Sequence, residues 1–140
     1  GFYETGFFDP VLVDIGGGAT YASDVSTFGK YTKIGNMVMY SAYLSGINTT
    51  GTPNNQLQID GFPYANAVGE VSTSASVSIF SGGNINFYSV KAAMSKTETG
   101  SGNRKIFFSV QKNLDSAYEP LSSVTITNGF INVSGYYFVN

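Results

Sequence analysis

The sequence contains no cysteine, no histidine and no tryptophan. Without cysteine there is no disulfide and no thiolate metal site, and the redox compartment cannot be read. Without histidine the chain lacks the commonest general base and the commonest metal ligand, so a nucleophile–histidine mechanism built from this chain alone is excluded. Charge is also scarce, at 11% of residues with a net charge of −2; ordinary domains carry roughly a quarter. The seven basic residues are scattered, and only Arg104 and Lys105 are adjacent. That distribution gives no electrostatic footprint for nucleic acid or for an anionic membrane. No apolar run is long enough for a helical membrane span, so no membrane insertion is expected. The opening GFYETGFFDP lacks the basic n-region of a signal peptide.

What is abundant is aromatic and small. Eleven Phe, ten Tyr and 17 Gly stand among 140 residues. That mixture fits an all-β chain with many turns. The length suits a single domain, 1–140, with a core that needs no staples. Many aromatics with little charge also point to contact between chains, because such a surface would be sticky on a monomer.

Alternation with a period of two dominates. In VSTSASVSIF, residues Val71, Thr73, Ala75, Val77 and Ile79 share one side, and Ser72, Ser74, Ser76 and Ser78 share the other. This is a half-buried strand with a polar outer face. KIFFSVQ places Ile106, Phe108 and Val110 together, and LSSVTIT places Val124 and Ile126 inward. Turns punctuate these runs. Gly35-Asn36 and Asn128-Gly129 read as two-residue hairpins, and SGGN at 81–84 and TGSGN at 99–103 as further glycine-rich turns. The pattern predicts strands near 11–15, 20–26, 28–34, 37–45, 56–60, 69–80, 85–94, 104–112, 121–127 and 130–139. SVKAAMSK at 89–96 is the one place where a helix competes. About ten strands with short turns predict an antiparallel β-sandwich, jelly-roll-like.

Several strands are apolar on both faces. After the turn in FGKYTKIGNMVMYSAYLSG, Val38, Tyr40, Ala42 and Leu44 share one face, and Met37, Met39 and Tyr43 lie on the other. Near the C-terminal end, Ile131, Val133, Tyr137 and Val139 share a side opposite Phe130, Tyr136 and Phe138. Phe107 stands opposite Phe108 in the same way. One core covers one face. The second must be covered either by loops of the same chain or by other subunits.

Three segments resemble the C-terminal modules of bacteriophage tail fibres and tailspikes. GKYTKIGNMV at 29–38 is similar to a recurring pattern of Gly, one residue, Tyr-Thr-Lys, one residue, Gly-Asn and an apolar strand. LQIDGFPY at 57–64 looks like its partner element, with Phe62 where Leu is more usual, and FDPVLV at 8–13 fits the opening that precedes them. The likeness covers roughly residues 6–64. It implies a β-sandwich that assembles as a homotrimer at a virion fibre tip, acting outside the cell. It also implies either recognition of a bacterial cell-surface polysaccharide or lipopolysaccharide, or a structural role in trimerisation and capping. A trimer would supply the cover for Met37, Met39, Tyr43, Phe107, Phe130, Tyr136 and Phe138. The motif residues themselves read as structural. Gly35 suits the positive φ of a hairpin, and Tyr31 and Phe62 are large enough to anchor packing.

Nothing marks a catalytic centre. Glycoside cleavage needs two carboxylates about 5–9 Å apart, and of the nine acids only Asp115 and Glu119 sit close in a loop-like segment. An enzyme is therefore not expected, although the chain could accompany a glycan depolymerase. No metal site is expected, because no Asp-x-Asp-x-Asp-Gly pattern is present, and no cofactor is implied. Asn48-Thr49-Thr50 and Asn132-Val133-Ser134 match the glycosylation sequon, which arises by chance. Glycan contact is the more credible activity, from amides, carboxylates and ring faces on loops. The candidates are Asn113, Asp115, Tyr118 and Glu119 in NLDSAYEP, and Thr49, Asn54 and Asn55 in 48–55.

Overall fold

The computed structural model describes residues 3–65, 74–80, 89–94 and 105–139. The strands are β1 (Tyr3–Phe8), β2 (Val11–Asp14), β3 (Ala19–Ala22), β4 (Phe28–Ile34), β5 (Met37–Gly51), β6 (Leu57–Asp60), β7 (Ser74–Phe80), β8 (Ser89–Met94), β9 (Ile106–Gln111), β10 (Glu119–Pro120) and β11 (Gly129–Phe138). All pairings between them are antiparallel. The all-β fold is therefore as expected, with eleven strands linked in one sheet. The stretch that competed for a helix is β8 as far as Met94. The turns at 81–84 and 99–103, and parts of three of the expected strands, lie outside the described residues.

The sheet returns on itself through β5. Eight strands form a ring in the order β5-β11-β7-β8-β9-β6-β2-β3, and β3 pairs back to β5. β5 does this by changing partner along its length. Met37 to Tyr43 pair with β4, whereas Asn48 to Gly51 pair with β3. The bend between them falls at Gly46, whose φ is +60°. A side chain there would also meet the Asp24 carboxylate, so glycine is required twice over. The sequence pattern ends this strand at 45, because an interior glycine usually marks a break. Here it marks a corner, and the strand continues. β4 and β1 hang from the first half of β5 as a two-stranded flap outside the ring.

Two other expectations are corrected. The run 121–127 is not a ladder strand. Leu121 and Ile126 are buried, but only Ser122 makes a β-bridge, to Gln56. The Thr49 hydroxyl accepts the Ile126 N–H at 2.7 Å and donates to the Ile126 carbonyl at 3.2 Å. The Thr49 N–H donates to the same carbonyl at 3.0 Å, so this run is held by isolated backbone bonds and one side chain rather than by a continuous ladder. Consequently Asn128-Gly129 is no hairpin. Asn128 does adopt a positive φ, +48°, but the chain enters β11 beside Ile47 of β5. By contrast, Gly35-Asn36 is a true two-residue turn, with Ile34 facing Met37 and Gly35 at φ +58°, the II′ pattern that suits strand twist.

The interior is closed by Val38, Tyr40, Ala42 and Leu44 of β5, Ile131, Val133 and Tyr137 of β11, Leu57 and Ile59 of β6, and Ile106, Phe108 and Val110 of β9. Each such side chain contributes roughly 1.5–3 kcal/mol on burial. The three resembling segments meet at one point of this core. The Phe8 ring lies over Gly29, where a Cβ would come within 2.5 Å of it. Phe8 packs on Phe62 at 4.9 Å, and Phe62 packs edge-on against Tyr40 at 5.0 Å. The Tyr31 ring covers Gly6, and its hydroxyl and that of Tyr64 both donate to Glu4 at 2.5 Å. The motif therefore fastens the flap to the ring.

Candidate functional site

The outward side of β1, β4, β5 and β11 is built by register. Met37, Met39 and Tyr43 of β5 point away from the core because Val38, Tyr40, Ala42 and Leu44 point into it. Across the strands, Ile34, Met37 and Phe138 form one row with Tyr3. Thr5, Thr32, Met39 and Tyr136 form the next, and Phe7, Lys30, Ser41 and Ser134 the third. Phe28, Tyr43 and Asn132 form the fourth. Rings cluster at the two ends of this face. Tyr43 lies 6.1 Å from Phe28 and 6.2 Å from Phe130, and Tyr136 meets Phe138 edge-on at 5.9 Å. Met39 and Tyr136 remain 39% and 43% exposed. No described loop of the same chain fully covers this face.

Of the seven residues expected at a subunit contact, Met37, Met39, Tyr43, Phe130, Tyr136 and Phe138 share this face. Phe107 does not. It points outward from β9, four strands around the ring from β5, with the Lys105 ammonium 5.7 Å from its ring.

The two candidate loops leave from one end of the barrel. Gln58 faces Phe107 in an antiparallel pair, so the segment before β6 and the segment after β9 emerge together. Ser123 N–H donates to the Asn55 carbonyl and ties the 52–55 loop to the run after β10. Their polar groups differ in availability. Thr49 is spent on Ile126, the Asn54 Oδ1 accepts from Gly18 N–H at 3.1 Å, and the Asn55 Oδ1 accepts from Gln56 N–H at 2.7 Å. In the other loop, Asn113 and Asp115 are exposed. Leu114 beside them is 65% exposed. The loop is held from below by the Gln111 amide, which donates to the Leu114 and Ser116 carbonyls at 2.9 Å each. Tyr118 carries the Lys91 ammonium 4.1 Å over its ring and shares a 2.7 Å hydrogen bond with Ser89. Glu119 pairs with Lys112 at 3.0 Å on the surface.

A carboxylate missed in the sequence explains why the 52–55 loop is fixed. Asp14 is buried and accepts backbone N–H bonds from Gly16 at 3.2 Å, Ala19 at 3.1 Å, and Asn54 and Asn55 at 3.0 Å each. Burial alone would push its carboxyl up. The N–H bonds outweigh it and hold the group below the usual range. Glu4 is also held below its usual value, first by the Tyr31 hydroxyl and then by that of Tyr64. Among the described residues no group of acids, as could hold a metal ion, is found, and no helix is long and apolar enough to cross a membrane.

These features define a closed antiparallel β-barrel with one aromatic outward face. No family model matches the sequence, and no curated protein matches it. Among solved structures, part of the Dettilon tailspike protein shares the fold. The alignment covers 99% of this chain, with a TM-score of 0.64 at 17% identity. The chain spans 24% of that protein's length.

Proposed function

We propose that this chain is a tail-associated domain of a bacteriophage tailspike or tail fibre, forming a homotrimer and binding a bacterial cell-surface glycan during host adsorption. The observation that carries this reading is the fold likeness to a tailspike along nearly the whole chain. The outward face of β5 and β11 supports the trimer, because rows of Met, Tyr and Phe on a low-charge domain are stabilised by a second subunit. The loop after β9 is the better of the two candidate glycan contacts. Asn113, Asp115 and Tyr118 are exposed there on a braced backbone, with Glu119 beside them. The role is one of binding, in the virion tail and outside the cell.

A second reading has its own support. Thr49, Asn54 and Asn55 use their side chains within the fold, as in a module that only drives assembly and caps a fibre. Adsorption of the purified domain to bacterial cells separates the two. Receptor binding requires saturable adsorption that falls when Asp115 and Tyr118 are both replaced by alanine. Assembly alone predicts a trimer that adsorbs to no glycan and no cell.

A further inference from the structure

The same outward face carries a groove that its apolar character does not explain. It lies between β1, β4 and β5 and has a volume of about 530 Å³, within the range of roughly 300–1,000 Å³ typical of small-ligand sites. Its wall includes Thr5, Phe7, Lys30, Thr32, Met39 and Ser41. Register explains the gathering. Phe7 faces Lys30 and Thr5 faces Thr32 across β1 and β4, while Lys30 faces Ser41 and Thr32 faces Met39 across β4 and β5.

The chemistry is unlike the two aromatic ends of the face. Lys30 is exposed, and no carboxylate lies in the groove wall. Among the described residues nothing pairs with its ammonium, and nothing takes the hydroxyls of Thr5, Thr32 or Ser41. Phe7 is 81% exposed, so its ring stands as a side wall. An uncompensated cation on a protein of net charge −2 selects an anion. Free hydroxyls beside it suit a ligand rich in hydroxyls, and a standing ring suits a C–H face.

We infer that this groove is a binding site for an anionic sugar unit. Lys30 would pair with its carboxylate or phosphate, Thr5, Thr32 and Ser41 would bond its hydroxyls, and Phe7 would cover its apolar face. The inference rests on the glycan-binding reading and narrows it to charged polymers. It also divides the outward face. The β5 and β11 half packs against a neighbouring subunit, and the β1 and β4 half receives ligand, with Met39 at the border.

The test uses the whole chain and purified capsular polysaccharide fragments of equal length, one set bearing uronate, one bearing phosphate and one neutral. Calorimetry should detect binding of an anionic set, weakened as salt rises from about 50 to about 500 mM. The set that binds identifies the anion. Lys30→Gln and Phe7→Ala should each weaken binding by about tenfold or more, with the assembly mass unchanged. Thr20→Val, at an exposed position of β3 outside the groove wall, should leave binding within about twofold. Anionic binding that survives both groove variants, or equal binding of the neutral set, would overturn the groove while leaving the glycan reading intact. Binding of no fragment of any set would overturn both.

Discussion

The outer sides of the two halves of this barrel are built by the same rule and end differently. On β1, β4, β5 and β11 the outward positions include Tyr3, Phe7, Phe28, Ile34, Met37, Met39, Tyr43, Tyr136 and Phe138, among polar ones such as Thr5, Lys30, Thr32 and Ser41. Across β3, β2 and β6 they include Thr20, Val11, Val13 and the buried Gln58, with Phe107 and Ser109 on β9 and Lys91 on β8. Both halves contribute apolar rows to the inside. Folding the barrel therefore does not account for so many outward rings, because β3, β2, β6, β8 and β9 fold with one, Phe107. Under the proposed assembly, a neighbouring subunit is what the first half meets there.

The largest effect should follow from breaking that face. Tyr136→Asp should convert an assembled form to monomer, since a charge buried without a partner costs several kcal/mol. Thr20→Asp, at an exposed position on the second half, should leave the assembly intact. Equal effects, read by sedimentation, would erase the distinction between the halves. Next in size is the aromatic joint that fastens the flap. Phe62→Ala should cost about 3–5 kcal/mol, and Gly29→Ala about 1–3 kcal/mol because its new methyl meets the Phe8 ring. Denaturant unfolding measures both.

Acid should act on the flap through Glu4. Its carboxyl is held below the ordinary 4.5 in the folded chain, so its bonds to Tyr31 and Tyr64 add stability above that value. That contribution is lost as the pH falls below it. Glu4→Gln should flatten this acid limb while leaving the loss due to Asp14, whose carboxyl is lowered too. An unchanged limb, followed by thermal unfolding between about pH 5 and 2, would remove Glu4 from the account. The smallest effect belongs to the loop after β9. Leu114→Ser should shift stability by less than about 0.5 kcal/mol, because that side chain is mostly solvent-exposed.

Much of the fold was legible because alternation survives wherever one side faces a core. β5 as far as Ser45, β9 and β11 follow the alternation of their sequence. β1 was not legible. Its inward positions are Glu4, Gly6 and Phe8, so two of the three carry no apolar signal. The ring closure was hidden by Gly46, which reads as an end and serves as a corner. Of the site, the doubled apolar face could be read from single strands. The groove could not, because Phe7, Lys30 and Ser41 come from three strands and meet only through register. Asp14 was hidden for another reason. A carboxylate ordinarily reads as solvated, and only the folded backbone brings four N–H groups to it.

The proposed trimer requires the outward face of β5 and β11 to be a subunit face. The most direct test is the solution mass of the chain by light scattering. A trimer gives three times the mass of one chain across the accessible concentration range, and Tyr136→Asp gives one chain mass. A wild-type chain that stays monomeric at every concentration would contradict it.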